Sequence, residues 1–338
     1  MAEQGSKPKK RKRSAGVTIG GIVAGIEQQI FKTTPPVDEL VQKGAPLQPV
    51  AAAGGGTLRI AMPGDPIDVG RVDPDAVPDR LHLEAPGVEA TIDLSVGGRL
   101  ASFRVDGTEL LRTEGIGPIQ WGSYPMAPYA GRVRRGSFAF DGRSYELPIT
   151  MAPHAIHGTV LDRRWTVVDD ATIATDLGPD WPFRGRAIQR FELAEDHFTF
   201  ELSVEGDERM PASLGWHPWF LRRPAGTDAP VEVLFEAGEM YVRDEDGITT
   251  SERMPPPGGP WDDCFTDVRR PPVLRWPGFL ELTIESACRD WVVYTVPEDA
   301  VCVEAQTAPP NALNGEPAIV EPGTPLTASM TWRWRRLA

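Results

Sequence analysis

Cysteine is scarce in this 338-residue chain: only Cys264, Cys288 and Cys302 occur. The odd count, the wide spacing and the lack of a CxxC pair exclude a disulfide framework and a thiolate zinc site. They suit a reducing compartment, so the expected location is cytoplasmic. No run of about 18 apolar residues is present, which argues against a membrane-spanning helix. GxSxG, Walker A and GxGxxG signatures are also missing, and neither Gly20-Gly21 nor the glycines at 54–56 are followed by Lys-Ser/Thr. Excess positive charge is lacking: the net charge is -13, and a folded body so acidic is unsuited to wrapping nucleic acid. Sustained helical periodicity is absent too, which removes the crossover helices a parallel α/β sheet needs. There is no fixed blade-length repeat of the kind a propeller carries.

What the chain does hold is turns and apolar alternation. Gly and Pro number 34 each, and an apolar fraction of 41% with ten Trp is enough for a substantial core. Residues 1–77 stand apart. They open with six Lys and Arg against the single Glu3 in positions 1–13, so the rest of the chain is more acidic than the total implies. This basic run reads as a solvated tail, and it is open to contact with an anionic membrane, nucleic acid, an acidic partner or an import receptor. Apolar residues 17–26 contain three glycines and run into Glu27-Gln28-Gln29 without a small-residue cleavage site, which suits a short docking helix better than a secretory signal. The remainder of 1–77, with AAAGGG at 51–56, is predicted to be a largely disordered linker with one or two short helices.

From Leu81 onward the period becomes two. Ala90, Ile92, Leu94 and Val96 alternate with polar residues before Gly97-Gly98. Phe138 and Phe140 lead into Asp141-Gly142, a type I′ hairpin signal. Phe198 to Val204, Val231 to Phe235, Leu280 to Ile284 and Met330 to Trp334 repeat the pattern. An all-β sandwich over residues 78–338 is the economical reading.

Several polar residues stand out against this background. Glu304 lies on an alternating strand, on one face with Cys302 and Gln306, ahead of a Pro309-Pro310-Asn311 loop of the kind that builds sites at strand ends. The local pattern alone also allows an exposed strand carboxylate, a reading that the loop weakens. His217 has its backbone fixed by Pro218 and is flanked by Trp216, Trp219 and Phe220, which either desolvate it or wall a sugar. His154 and His157 in HAIHG have a spacing compatible with a metal, but no third ligand is evident and no metal is expected. Arg132 reads as a surface ion-pair partner or as a fork onto two hydroxyls. Asp262 and Asp263 read as hydroxyl acceptors or as turn caps.

In order, PMAPYAGRV at 125–133, HAIHG at 154–158, GWHPWF at 215–220, WDDCF at 261–265 and VEAQTAPPNA at 303–312 resemble the aldose 1-epimerase (galactose mutarotase-like) family over roughly Leu81 to the C-terminus. The resemblance implies a β-supersandwich and interconversion of the α and β anomers of a free aldose, without cofactor or nucleic acid. By the same resemblance His217 would be the general acid and Glu304 the general base. His157 would be a second active-site histidine, Arg132 a hydroxyl-binding arginine, and Asp262 the substrate-binding aspartate with Asp263 its rival. Trp219 is added as a stacking wall. His154 stands where many members carry Asn, and GWHPWF departs from the Asn-His-Ser type. Alternatives are a hexose 6-phosphate substrate, drawing on Arg134 and Arg135, and a sugar-binding protein without turnover.

Overall fold

The computed structural model describes residues 78–337, and the expectations for residues 1–77 fall outside the described residues. Among the described residues helix is confined to two 3₁₀ turns, Arg134–Gly136 and Ala312–Asn314, and no helix is long and apolar enough to cross a membrane. The rest is antiparallel sheet. Twelve strands form one sheet, whose central path runs through Arg99–Val105, Ser123–Met126, Gly215–Pro218, Ala300–Gln306, Asp290–Tyr294 and Asp262–Val268. Eight form a second, centred on Gly185–Leu193, His197–Gly206, Leu326–Arg336 and Leu280–Ser286.

The alternating aromatics explain why the two sheets pack. Phe198, Phe200 and Trp332 point inward from the smaller sheet and meet Phe103 and Phe220 of the larger one. Trp332 lies 5.4 Å from Phe103 and 4.7 Å from Phe220, ring centre to ring centre. Each ring buries a large apolar area, and tilted or edge-on pairs add to that stabilisation. The Asp141-Gly142 turn has φ of 48° and 74°, as the type I′ hairpin between Ser137–Phe140 and Arg143–Glu146 demands.

Two expected strands are shorter than their sequence pattern. The one through Ala90 ends at Asp93 rather than Val96, because the Asp93 carboxylate accepts the backbone N–H groups of Ser95 (2.9 Å) and Val96 (3.1 Å) and turns the chain. The one through Val233 is only Glu232–Leu234.

Ala300–Gln306 is buried at every position. Val301, Val303 and Ala305 face the main core, while Ala300 and Cys302 belong to a smaller cluster with Tyr124, Met126, Leu161 and Trp219. The strand's second face thus looks into an enclosed wall and not into solvent, and Glu304 is not the exposed carboxylate its local pattern allowed.

Candidate active site

Cross-strand register builds the centre of the site. Gly215–Pro218 pairs on one side with Ser123–Met126, placing His217 directly opposite Tyr124, and touches Ala300–Gln306 on the other at Gly215 and Gln306. The two rings stack at 5.0 Å and 24°. His217 and Glu304, 87 positions apart in the sequence and only 6% and 2% exposed, bring Nε2 and Oε1 within 3.2 Å. Gln306, two residues along the same face, donates from Nε2 to Glu304 Oε2 at 3.1 Å.

A second arm comes from a short ladder between Arg132–Val133 and Ala155–Ile156, in which Arg132 pairs with Ile156. The next residue, His157, donates its N–H to Gly131 O (2.9 Å) and adopts φ of 63°, a left-handed conformation uncommon for a residue with a side chain. Its ring meets His217 edge-on at 5.1 Å. Gly158 must be glycine, since a Cβ there would lie 2.0 Å from Ala127 O. Gly131 leaves room for Pro310, and Asn311 Oδ1 accepts the Arg134 N–H at 2.9 Å. The Pro-Pro-Asn loop that follows the Glu304 strand therefore clasps the turn that carries Arg132 and fixes one arm of the site against the other. Among the described residues the half-buried Arg132 guanidinium has no ion-pair or hydrogen-bond partner, although its charge acts on His157, His217, Asp262 and Glu304.

The two aspartates separate by environment. Both pair with Arg243, Asp263 at 3.1 Å and Asp262 at 3.5 Å. Asp263 also accepts the Asp262 N–H (3.2 Å) and is the less exposed side chain, 15% against 39%. Asp262 keeps open surface, yet desolvation by the surrounding protein raises its pKa. Its charge also reaches Glu304. Asp262 therefore shares the field of the site, and Asp263 serves the Arg243 pair.

Burial governs the electrostatics. It lowers His217 to about 3, against an opposing hydrogen bond with the residue's own backbone and with the charges of Arg132 and Arg99 adding to the effect. His157 is driven well below its usual range by burial, then by His217 and Arg132. Glu304 is raised well above the carboxylate range by burial and then by Asp262, against the opposing Gln306 hydrogen bond and Arg132 charge. Burial thus favours the uncharged form of both groups in the His217–Glu304 contact.

Other expectations change role. His154 accepts the Arg135 N–H at Nδ1 (3.1 Å), and its Nε2 lies 3.1 Å from Asp246 O, so it braces a neighbouring loop. Among the described residues no group of three or more His, Cys, Asp or Glu is placed to hold a metal ion. Trp219 is buried and stacks on His217 (5.2 Å, 16°) and on the Arg112 guanidinium (4.5 Å). It backs the imidazole, and its contacts are not those of a wall left open to a sugar. Trp216 and Phe220 belong to the main core. Sequence reasoning passed over Tyr124, Gln306 as a Glu304 partner, and Arg99. Tyr124 sits one residue ahead of the PMAPYAGRV run, the only local hint to it.

An aldose 1-epimerase family model matches residues 79–333. The chain is similar to the uncharacterized protein YphB of Escherichia coli, with 31% identity over 137 residues, 38% of this chain and 47% of that one. It is also similar to galactose mutarotase of Sus scrofa, with 27% identity over 146 residues, 39% and 42% of the two chains. These alignments span about half the length of the curated relatives. Among solved structures, a galactose mutarotase-like protein from Clostridium acetobutylicum has a TM-score of 0.66 at 18% identity, covering 76% of this chain and 95% of that one. Galactose 1-epimerase from Lactobacillus acidophilus has 0.64 at 15%, covering 80% and 98%. At these identities the structures speak for the fold.

Proposed function

The chain belongs to the aldose 1-epimerase family, and from that premise we propose that it interconverts the α and β anomers of a free aldohexose such as glucose or galactose by acid–base ring opening. The observation that carries this reading is the 3.2 Å approach of His217 Nε2 to Glu304 Oε1. The hydroxyl oxygen O1 and the ring oxygen O5 are both bonded to C1. An acid serving one and a base serving the other have to converge on a single carbon, as these two groups do.

The steps balance with one enzyme-held proton. Glu304 as carboxylate takes the proton from O1, C1–O5 breaks with its electron pair going to O5, and the His217 imidazolium protonates O5. An open-chain aldehyde results. Rotation about C1–C2 and reversal of the transfers close the ring on either face. Ring opening leaves Glu304 protonated and His217 neutral, which is the tautomer that burial favours. The hydrophobic enclosure therefore assists the opening step. It works against the ion-pair form, whose carboxylate is supported by the Arg132 charge and the Gln306 hydrogen bond. Arg132 and Asp262 are assigned to the sugar hydroxyls, the first because it is an unpaired fork and the second because it keeps open surface inside the field of Glu304.

A free sugar is favoured over a 6-phosphate. Arg134 is engaged by Asp244 and Asp246, and Arg135 pairs with Asp246 at 3.6 Å, so the neighbouring cations are already neutralised by acids that would repel a phosphate. The unpaired thiols of Cys264, Cys288 and Cys302 support the cytoplasmic assignment. The test is polarimetry or anomer-resolved NMR on fresh α-D-glucose, α-D-galactose and glucose 6-phosphate. Glu304→Gln and His217→Gln are each expected to lower kcat by about 10²–10⁴-fold. Equal rates for wild type and Glu304→Gln would remove the mechanism, and saturable sugar binding without rate enhancement would leave a binding protein.

A further inference from the structure

We propose that Arg99 and Arg112 are positioning residues for His217, capping a column of stacked groups that holds the imidazole plane where no other residue hydrogen-bonds its Nδ1. The proposal rests on the acid role assigned to His217 above.

A catalytic imidazole is ordinarily oriented by a hydrogen bond from its second ring nitrogen. Among the described residues no other residue hydrogen-bonds the buried His217 Nδ1, and its own backbone is the polar group beside the ring, so the one polar contact to another side chain is that to Glu304. That contact opens when a sugar enters, and some other restraint has to keep the plane fixed. The neighbouring rings supply it. His217 lies between Tyr124 (5.0 Å, 24°) and Trp219 (5.2 Å, 16°). Arg99 then lies between Trp121, at 4.3 Å, and Tyr124, at 5.3 Å, while Arg112 stacks on Trp219 at 4.5 Å.

The column is tied together along one edge. The Tyr124 hydroxyl (3.1 Å) and Trp219 Nε1 (2.9 Å) both donate to the carbonyl oxygen of Ile119. Arg112 Nη1 donates to the next carbonyl, Gln120 O, at 3.1 Å, and Arg99 Nη1 to the one after, Trp121 O, at 3.1 Å. Three consecutive carbonyls thus receive the four groups stacked around His217. Arg99 is fully buried, with Nε and Nη2 on Val96 O and Leu161 O (2.9 Å each) and no carboxylate within ion-pair distance among the described residues. Leaving a buried guanidinium without a carboxylate is costly, and an apolar residue would fill the space more cheaply. Its planar fork and its charge are what that position uses. The charge also disfavours a proton on His217, which makes the imidazolium a readier donor to the weakly basic ring oxygen.

The experiment uses the full chain with Arg99→Met and Arg112→Met. Histidine ring NMR signals are recorded, His217 being assigned among the five histidines by its loss in His217→Gln. Mutarotation kcat and KM are measured in parallel. Expected are a displaced His217 ring signal and a kcat lowered by about 10- to 100-fold, with KM changed by less than about twofold, since a small misplacement of a reacting group has that cost. Should Arg99→Met fail to fold, Arg112→Met decides, because that side chain reaches the surface (18% exposed). Unmoved ring signals with wild-type kcat overturn the proposal, as does a loss confined to KM. If wild type accelerates no aldose offered, the functional reading falls by itself, and the ring signals still decide whether the arginines hold His217.

Discussion

Replacing Glu304 with Gln gives a stability signature that is independent of catalysis. The carboxyl is raised above its ordinary value of 4.5 chiefly by burial. Between 4.5 and that raised value the folded chain binds a proton that the unfolded chain has released. Its contribution is therefore complete below pH 4.5 and is lost as pH rises toward the folded value, at about 1.4 kcal/mol per pH unit. His217 acts in the opposite sense, because its folded pKa of about 3 lies below 6.5. Its contribution is present above 6.5 and is lost as pH falls toward 3. Wild type and Glu304→Gln both carry His217, so the difference between them isolates the carboxyl. Urea titrations at pH 5, 6, 7 and 8 are expected to show wild type losing stability relative to Glu304→Gln as pH rises. The difference should level off where the folded carboxyl ionises. For a domain of this size each kcal/mol corresponds to about 2–4 °C in Tm, so thermal melts report the same trend. Stability curves that stay parallel from pH 5 to 8 would show that Glu304 keeps an ordinary pKa, and the account of the burial-favoured tautomer would fail.

Gly158→Ala should be the more damaging member of a matched pair. At φ of 85° its Cβ would sit 2.0 Å from the Ala127 carbonyl oxygen, whereas Gly142→Ala, at φ of 74° with nothing within 4 Å, should lose only the left-handed penalty of about 1–2 kcal/mol. Thermal melts compare the two, and equal Tm losses would contradict the close approach that places His157. Arg132→Lys should raise KM about tenfold with a smaller effect on kcat, because a point charge replaces a planar fork; initial-rate polarimetry separates the two constants. Trp332→Ala should cost about 3–5 kcal/mol by chemical denaturation, since the ring bridges Phe103 and Phe220 between the sheets.

The parts of the fold legible in the sequence are those where one face is wet. Phe198 to Val204 and Met330 to Trp334 alternate cleanly because the outer face of the smaller sheet meets solvent. Ala300–Gln306 obeys the same period, but Cys, Glu and Gln on its second face are buried under Tyr124 and Trp219. Polarity alone does not distinguish such a buried face from one in water. Pairing order was not legible at all, since Gly215–Pro218 lies between strands drawn from residues 123–126 and 300–306. The site divides in the same way. His217, Glu304, His157 and Arg132 sit in recognisable motifs. Arg99, Arg112 and Tyr124 act through backbone carbonyls and ring faces, contacts that any residue can offer as acceptor and that leave no mark in the sequence.

Placing His217 and Glu304 inside a sheet sandwich has a consequence that a surface location would not. A strand fixes its side chains to alternate faces, so Val303 and Ala305 anchor Glu304 from the core side while the carboxyl faces the site. His217 is held likewise between Trp216 in the main core and the ring stack on its own face. Core packing thus fixes both backbones, so the Nε2–Oε1 contact, made despite the cost of desolvating both groups, can open only through side-chain torsions.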